Sequence, residues 1–300
     1  MRFRKPLVYA IPFFLFLTSA CGAASSSCPA GMSARIPARP AKAKSGSEFA
    51  RYVAAMTARD REQAIRKELL SGNIPGFLRK LKPVSLKVRS AEGGTVSARI
   101  CVMPDYLAIG SDRDYLRIPA NLYTARAVAD AFGFSLPTTT IVDAVYRQAG
   151  YHLRPQPLPA GPTMRSIAYY VTHNRLIQKV LPADYAGGLV AGDKKDLVLT
   201  NRLIGKPTRI AIYGWHRLDG RPIQPLSTVH GIRYVDYSHG IRLVSDTVIV
   251  NGRPRSIYDV LTNPSTAPLL SREGSIDASR VLSAASSLVK VSALKAPALF

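Results

Sequence analysis

Apolar and polar positions follow three registers along this chain. The first is an unbroken block. Leu7 to Ala20, LVYAIPFFLFLTSA, carries no charge and follows the basic start MRFRKP. That length suits a secretory leader and falls short of a comfortable membrane span. The second register is helical. In SEFARYVAAMTARDREQAIRKELLSG the apolar residues Phe49, Val53, Met56, Ile65, Leu69 and Leu70 recur on one side, with Ser47 as the expected cap and Gly72 as the stop. The same spacing recurs in LYTARAVADAFG, from Asn121 to Gly133, and in TTTIVDAVYRQAG, begun by Pro137 and ended at Gly150. It appears again over 164–181, MRSIAYYVTHNRLIQKVL.

The third register has the period of a strand. VSLKVRS and TVSARICVMP flank an Ala-Glu-Gly-Gly turn and read as a hairpin, and the β-like runs YLAIG and YLRIP follow, separated by the polar SDRD. From residue 188 the runs GLVAG, DLVLTNRL, TRIAIYGW, IRYVDYS and IRLVSDTVIV predict more strands, and Asn251-Gly252 predicts a tight hairpin after the last. Helical turns are expected near SIYDVLTNP and APLLS. The elements do not alternate strictly as strand and helix. The expected class is α+β: an N-terminal helix, mixed β-hairpins and helices, then a mainly antiparallel, β-rich C-terminal half.

Composition divides this pattern. Residues 1–24 form the leader, and 25–46, small, Pro-containing and basic, read as a flexible tether. An α+β part follows over 47–153, and a β-rich part over 154–274 begins at the Pro-rich RPQPLPAGP. Residues 275–300 are an Ala/Ser-rich tail of low information. Leu17-Thr18-Ser19-Ala20-Cys21 resembles the lipobox of bacterial lipoproteins. The resemblance implies lipidation at Cys21, attachment to a membrane through that lipid, and a periplasmic or outer-membrane location. Thr18 stands where the lipobox prefers leucine, and simple cleavage after Ala24 is the alternative, giving a secreted protein. Three cysteines occur in all. In an oxidising compartment Cys28 and Cys101 are available as a disulfide, with two free thiols as the other reading.

Hydrophobic residues make up 47% and charged residues 20% of the 300, the profile of a folded globule. The net charge of +22, from 41 basic and 19 acidic side chains, points to polyanionic partners. Export turns that expectation from nucleic acid toward an anionic envelope polymer or polysaccharide.

Chemistry concentrates in Gly214–Gly240, GWHRLDGRPIQPLSTVHGIRYVDYSHG, which holds three of the five histidines and the one tryptophan. Each histidine lies beside a glycine or at the end of an apolar run, where side chains project from a rigid scaffold. His216, His230, Asp236 and His239 are the candidate catalytic residues. The same four are the candidate ligands of a divalent metal such as zinc, which would ionise a bound water. Metal-free acid–base work by a histidine oriented by Asp236 is the alternative, with Ser238 as a conceivable nucleophile. On a regular strand Asp236 and His239 diverge, so either mechanism needs the strand to break near Ser238–Gly240. Trp215, Arg233 and Tyr237 are candidate substrate contacts, joined by Lys195 and Asp196 from the turn Gly192-Asp193-Lys194-Lys195-Asp196. Asp105, Asp112 and Asp114 read as solvated loop charges, and His173 as a half-buried helix residue. The expected function is hydrolysis of a cell-envelope or extracellular polymer, peptidoglycan or another polysaccharide or peptide. The alternative is a non-catalytic basic lipoprotein that binds such a polymer.

Overall fold

A computed structural model describes residues 27–89, 93–182, 185 and 187–281. The leader, Cys21, half of the turn expected at 91–94 and most of the C-terminal tail lie outside these residues. The described chain opens with α1 (Gly46–Tyr52) and α2 (Ala58–Leu70). Two hairpins follow, β1 (Lys82–Arg89) with β2 (Thr95–Val102) and β3 (Ala108–Gly110) with β4 (Tyr115–Arg117). Next come α3 (Leu122–Phe132), β5 (Phe134–Ser135), α4 (Thr139–Gln148), β6 (Tyr151–His152) and α5 (Ile167–Val180). Seven strands complete the C-terminal half: β7 (Val190–Ala191), β8 (Lys195–Leu197), β9 (Ile212–His216), β10 (Pro222–Ser227), β11 (His239–Gly240), β12 (Val244–Val250) and β13 (Arg253–Ser256). The helices α6 (Ile257–Thr262) and α7 (Ala278–Val281) close it. The fold is α+β, with helices packed on separate, mostly antiparallel sheets.

Helix ends follow local chemistry. Asn121 caps α3 by accepting from Thr124 N, and Gly133 ends it in the left-handed conformation. Thr138 and Ser166 cap α4 and α5. The long helix expected after Ser47 is instead two. Ser45 forms a capping box with Glu48 for α1, and Thr57 starts α2 by accepting from Asp60 N. A new cap inside the periodic stretch therefore breaks it, while Phe49, Val53, Ile65 and Leu69 still bury together.

The largest sheet has the order β1-β2-β12-β13, with β5 also paired to β12. Val84 and Leu86 on β1 and Ile100 and Val248 at facing positions of β2 and β12 are all buried, as the alternating pattern requires. Each such side chain contributes roughly 1.5–3 kcal/mol when fully buried. At the β12–β13 turn Asn251 and Gly252 take φ of 46° and 80°, the left-handed pair that a two-residue hairpin requires. A second sheet, β10-β9-β8-β11, is antiparallel except for β11 beside β8.

These pairings cross the expected division of the chain. β12, from the C-terminal part, lies beside β2 and β5 from the N-terminal part, and one apolar core draws on both. The expected tether is also bound to the body over its described residues. Ile36 is buried, Arg79 donates to the Ile36 and Pro37 carbonyls, and Arg39 donates to Asn73 Oδ1 and to the Gly110 and Ala43 carbonyls. Its arginines satisfy backbone acceptors instead of solvating a free linker. Cys28 and Cys101 form the disulfide, with Cα atoms 5.9 Å apart across a separation of 73 residues. Closing a loop of that size is worth on the order of 4 kcal/mol in chain entropy.

Candidate functional site

The second sheet positions the chemistry, because its strands end in turns that carry charged side chains inward. The run IRYVDYS, expected as a strand, is a turn over most of its length. The Asp236 side chain causes this. Its Oδ1 accepts from Ser238 N at 2.8 Å and Ser238 Oγ at 2.6 Å, folding the backbone back so that His239 N meets the Asp236 carbonyl. The fold thereby resolves the divergence a regular strand would impose. His239 Nε2 lies 3.8 Å from Asp236 Oδ2.

His230 joins them. Its ring centroid is 5.7 Å from that of His239, and it stacks on Tyr234 at 4.1 Å with the planes 4° apart. Tyr234 donates its hydroxyl to Asp236 Oδ2 at 3.1 Å. Lys195, paired with His239 across β8 and β11, places its ammonium 5.0 Å from the centre of the Trp215 ring. Three of the four predicted catalytic residues thus meet, together with the predicted contacts Lys195 and Trp215.

Their electrostatics favour a neutral ring beside a carboxylate. Burial pushes His239 down to about 4, although Asp236 pulls the other way. His239 is fully buried, and neither ring nitrogen has a hydrogen-bond partner. Asp236 stays below the usual carboxylate range; burial raises it, but the His239 ring and the Ser238 hydrogen bonds outweigh that. Burial also lowers His230 and Lys195.

His216 stands apart from this group. Consecutive strand residues face opposite ways. Lys195 and His239 take one face, while Asp196, opposite Tyr213, takes the other. Alternation alone would separate His216 from Tyr213, but Gly214 and Trp215 take φ of 111° and 55° and interrupt the regular strand between them. Both reach Asp143 Oδ1, His216 at 3.2 Å and Tyr213 at 2.8 Å, and His216 stacks on Tyr146. The four-residue set expected from sequence is therefore not assembled around one point. Among the described residues no three His, Cys, Asp or Glu side chains are grouped to hold one metal ion.

Other predicted contacts also move. Asp196 is buried, accepts from Tyr106 Oη at 2.9 Å, and is pushed up to about 6 by burial. Tyr237 turns its hydroxyl to the backbone of Leu158, so it braces the 154–162 segment. Arg233 is exposed, with its guanidinium 5.4 Å from the centre of the Tyr123 ring.

Behind the site lies a charged interior that the sequence reading placed in solvent. Asp105 and Arg117 are both buried and share hydrogen bonds of 2.6 to 3.1 Å. Asp193 is buried 3.8 Å from the same guanidinium, with neither carboxylate oxygen hydrogen-bonded. Lys194 is buried too, donating to the Tyr237 carbonyl at 2.6 Å and meeting His173 Nδ1 at 3.0 Å. Burial lowers Lys194 to about 7 and His173 to about 2, so the His173 ring is neutral and accepts at Nδ1. Charged letters in a Gly-led turn resemble a solvated hairpin. The one hint of burial was that apolar runs flank the turn on both sides.

A groove of about 820 Å³ opens next to Tyr234, between α2, the start of α3 and residues 165, 233 and 235. Arg59, Arg61, Arg66, Arg165 and Arg233 line it, with Glu62 among them. Arg165 also lies over the Tyr234 ring, 5.6 Å from its centre, which joins the groove to the histidine cluster.

Comparison with protein-family models, curated proteins and solved structures finds no match to this chain. Among the described residues no helix is long and apolar enough to cross a membrane.

Proposed function

We propose that this chain is an exported hydrolase of an anionic envelope or extracellular polymer, and that the group around His239 performs the reaction. The protein reaches the envelope through its leader and is held there by a lipid on Cys21. One observation carries the catalytic reading. A fully buried imidazole with two unpartnered nitrogens sits beside a low-pKa carboxylate and behind a partly exposed second histidine. Leaving such groups unsatisfied costs about 1–3 kcal/mol each, and perturbed ionisable groups cluster where chemistry is done.

The roles follow from position. His230 is the ring that substrate and water can reach, and its lowered pKa keeps it neutral and able to take a proton from attacking water. Asp236 holds Tyr234, on which His230 stacks, and faces His239. The Lys195 ammonium, whose pKa burial lowers, gives its proton to the departing oxygen as the water deprotonated by His230 takes its place, so one proton is taken and one is given back. A divalent ion such as zinc would draw on His230, Asp236 and His239. These side chains are not drawn together as a ligand set, so no step is routed through a metal.

The test is product release from purified peptidoglycan and from a soluble anionic polysaccharide. Wild type releases soluble fragments, and His230→Ala and Asp236→Asn each lower the rate at least about a hundredfold. Metal content and chelator sensitivity are measured on the same sample. No release by wild type from either polymer would sink the catalytic reading. The arginine-lined groove favours the second reading, a non-catalytic binding lipoprotein. Salt-sensitive binding that survives alanine at His216, His230 and His239, without product, would establish that one.

A further inference from the structure

We infer that the arginine-lined groove between α2, α3 and the 231–238 turn is the binding channel for a linear anionic glycan, leading to the histidine cluster. The inference rests on the proposed reading for the export that favours a glycan and for where the channel leads. Its own basis is the groove. Five guanidinium groups border one concavity, and among the described residues none of them forms a salt bridge. Like charges gathered without counter-charges repel one another, and a ligand bearing repeated anions relieves that repulsion. The single acid is no substitute. Glu62 is largely buried, accepts from Asn121 N at 3.0 Å, and is raised by that burial, so it braces α3 more than it neutralises the arginines.

Three of the arginines are also held in place. Arg61 lies over the Tyr170 ring at 5.6 Å and donates to the Arg165 carbonyl at 2.8 Å. Arg233 and Arg165 lie over Tyr123 and Tyr234. Guanidinium forks fixed this way suit planar or tetrahedral oxyanions, because little side-chain freedom is lost on binding. A volume of about 820 Å³ fits a short stretch of polymer, and tyrosines set among the arginines offer faces for sugar rings. An exported protein meets glycans of this kind, which favours them over nucleic acid.

The experiment measures binding of polygalacturonate to the full chain at moderate salt, with neutral dextran as the uncharged control. Arg59, Arg165 and Arg233 are exposed, so the triple variant Arg59→Gln/Arg165→Gln/Arg233→Gln should fold, which a thermal melt checks. It should weaken binding roughly tenfold. The variant Arg221→Gln/Arg253→Gln/Arg255→Gln removes equal charge from exposed sites outside the groove and should change binding less than about twofold. A glycan whose charges are phosphodiesters is run in parallel, and tighter binding of either names the preferred anion. Equal losses in the two triples would overturn the channel, as would equal binding of dextran. Tighter groove-dependent binding of single-stranded DNA would overturn the glycan assignment. If the groove triple loses binding while wild type releases no product, the channel stands and the hydrolase reading falls. If product forms and the groove triple binds and turns over normally, the reverse holds.

Discussion

The two main sheets of this protein bury opposite kinds of surface. In the β1-β2-β12-β13 sheet the inward positions are Val84, Ile100 and Val248, and the charges of Lys87 and Arg255 point to solvent. In the β10-β9-β8-β11 sheet the strand ends and their turns bury Asp193, Lys194, Asp196, Asp236 and His239. The first arrangement gains free energy with each side chain. The second loses it unless each charge finds a partner, and several atoms there have none. A fold that tolerates such a cost in one sheet and avoids it in the other marks the costly sheet as the place where function has shaped the residues.

Breaking the buried ion pair should show the largest effect. Arg117→Met leaves Asp105 charged and buried, with Asp193 nearby, and should lower stability by roughly 3–5 kcal/mol in urea unfolding. The double variant Arg117→Met/Asp105→Leu should recover much of that loss, since no uncompensated charge remains. Ile100→Val in the apolar sheet should cost only about 0.5–1.5 kcal/mol. If Arg117→Met costs no more than that, the contrast between the apolar sheet and the charged interior behind the second sheet fails.

His239 offers a sharper test, because its effect on stability depends on pH. Folded, its imidazole sits near 4; unfolded, it titrates near the ordinary value of about 6.5. Between those values the unfolded chain holds a proton that the native state refuses. Stability therefore falls as pH drops through this window, and no such contribution operates above it. His173 adds a slope of the same sign that extends further into acid. His239→Leu should keep stability at pH 7 within about 1 kcal/mol of wild type, since an apolar side chain replaces two unsatisfied nitrogens. It should also remove up to one proton from the acid-side slope of unfolding free energy against pH, while abolishing product release. An unchanged slope would show that the ring is not buried neutral.

The apolar sheet was the legible half. Its alternation, the Asn251-Gly252 turn and the capped helices α3, α4 and α5 follow from side-chain period and local hydrogen bonding, which a sequence displays directly. The charged interior was not legible. Asp105, Asp193 and Lys194 carry the same letters whether they face water or a buried partner, and their partners lie far along the chain. Arg117 is 12 residues from Asp105, and Lys194 is 21 from His173. The break at Asp236–Ser238 was readable as a requirement but not as a fact. His216 was grouped with His230 and His239 because sequence proximity stood in for the carboxylate each ring meets, Asp143 for His216 and Asp236 for His239. The contacts made by 27–46 were hidden for a related reason, since arginines there look solvated until the carbonyls they bind are placed.

The position of His216 supplies the mildest prediction. Its ring is stacked on Tyr146 and hydrogen-bonded to Asp143, whereas His230 and His239 gather at Asp236 and Tyr234. His216→Gln keeps a polar group near Asp143 but loses the stacking and some of the hydrogen-bond geometry, so it should cost about 1 kcal/mol in urea unfolding. Turnover of the anionic polymer should stay within about twofold of wild type, in contrast to His230→Ala. The direction of the result separates the two clusters. A large loss of activity with little loss of stability would mean that the reacting groups lie on the Asp143 side, and Asp196, whose carboxyl is raised to about 6 and feels the His216 ring, would then be the next residue to change.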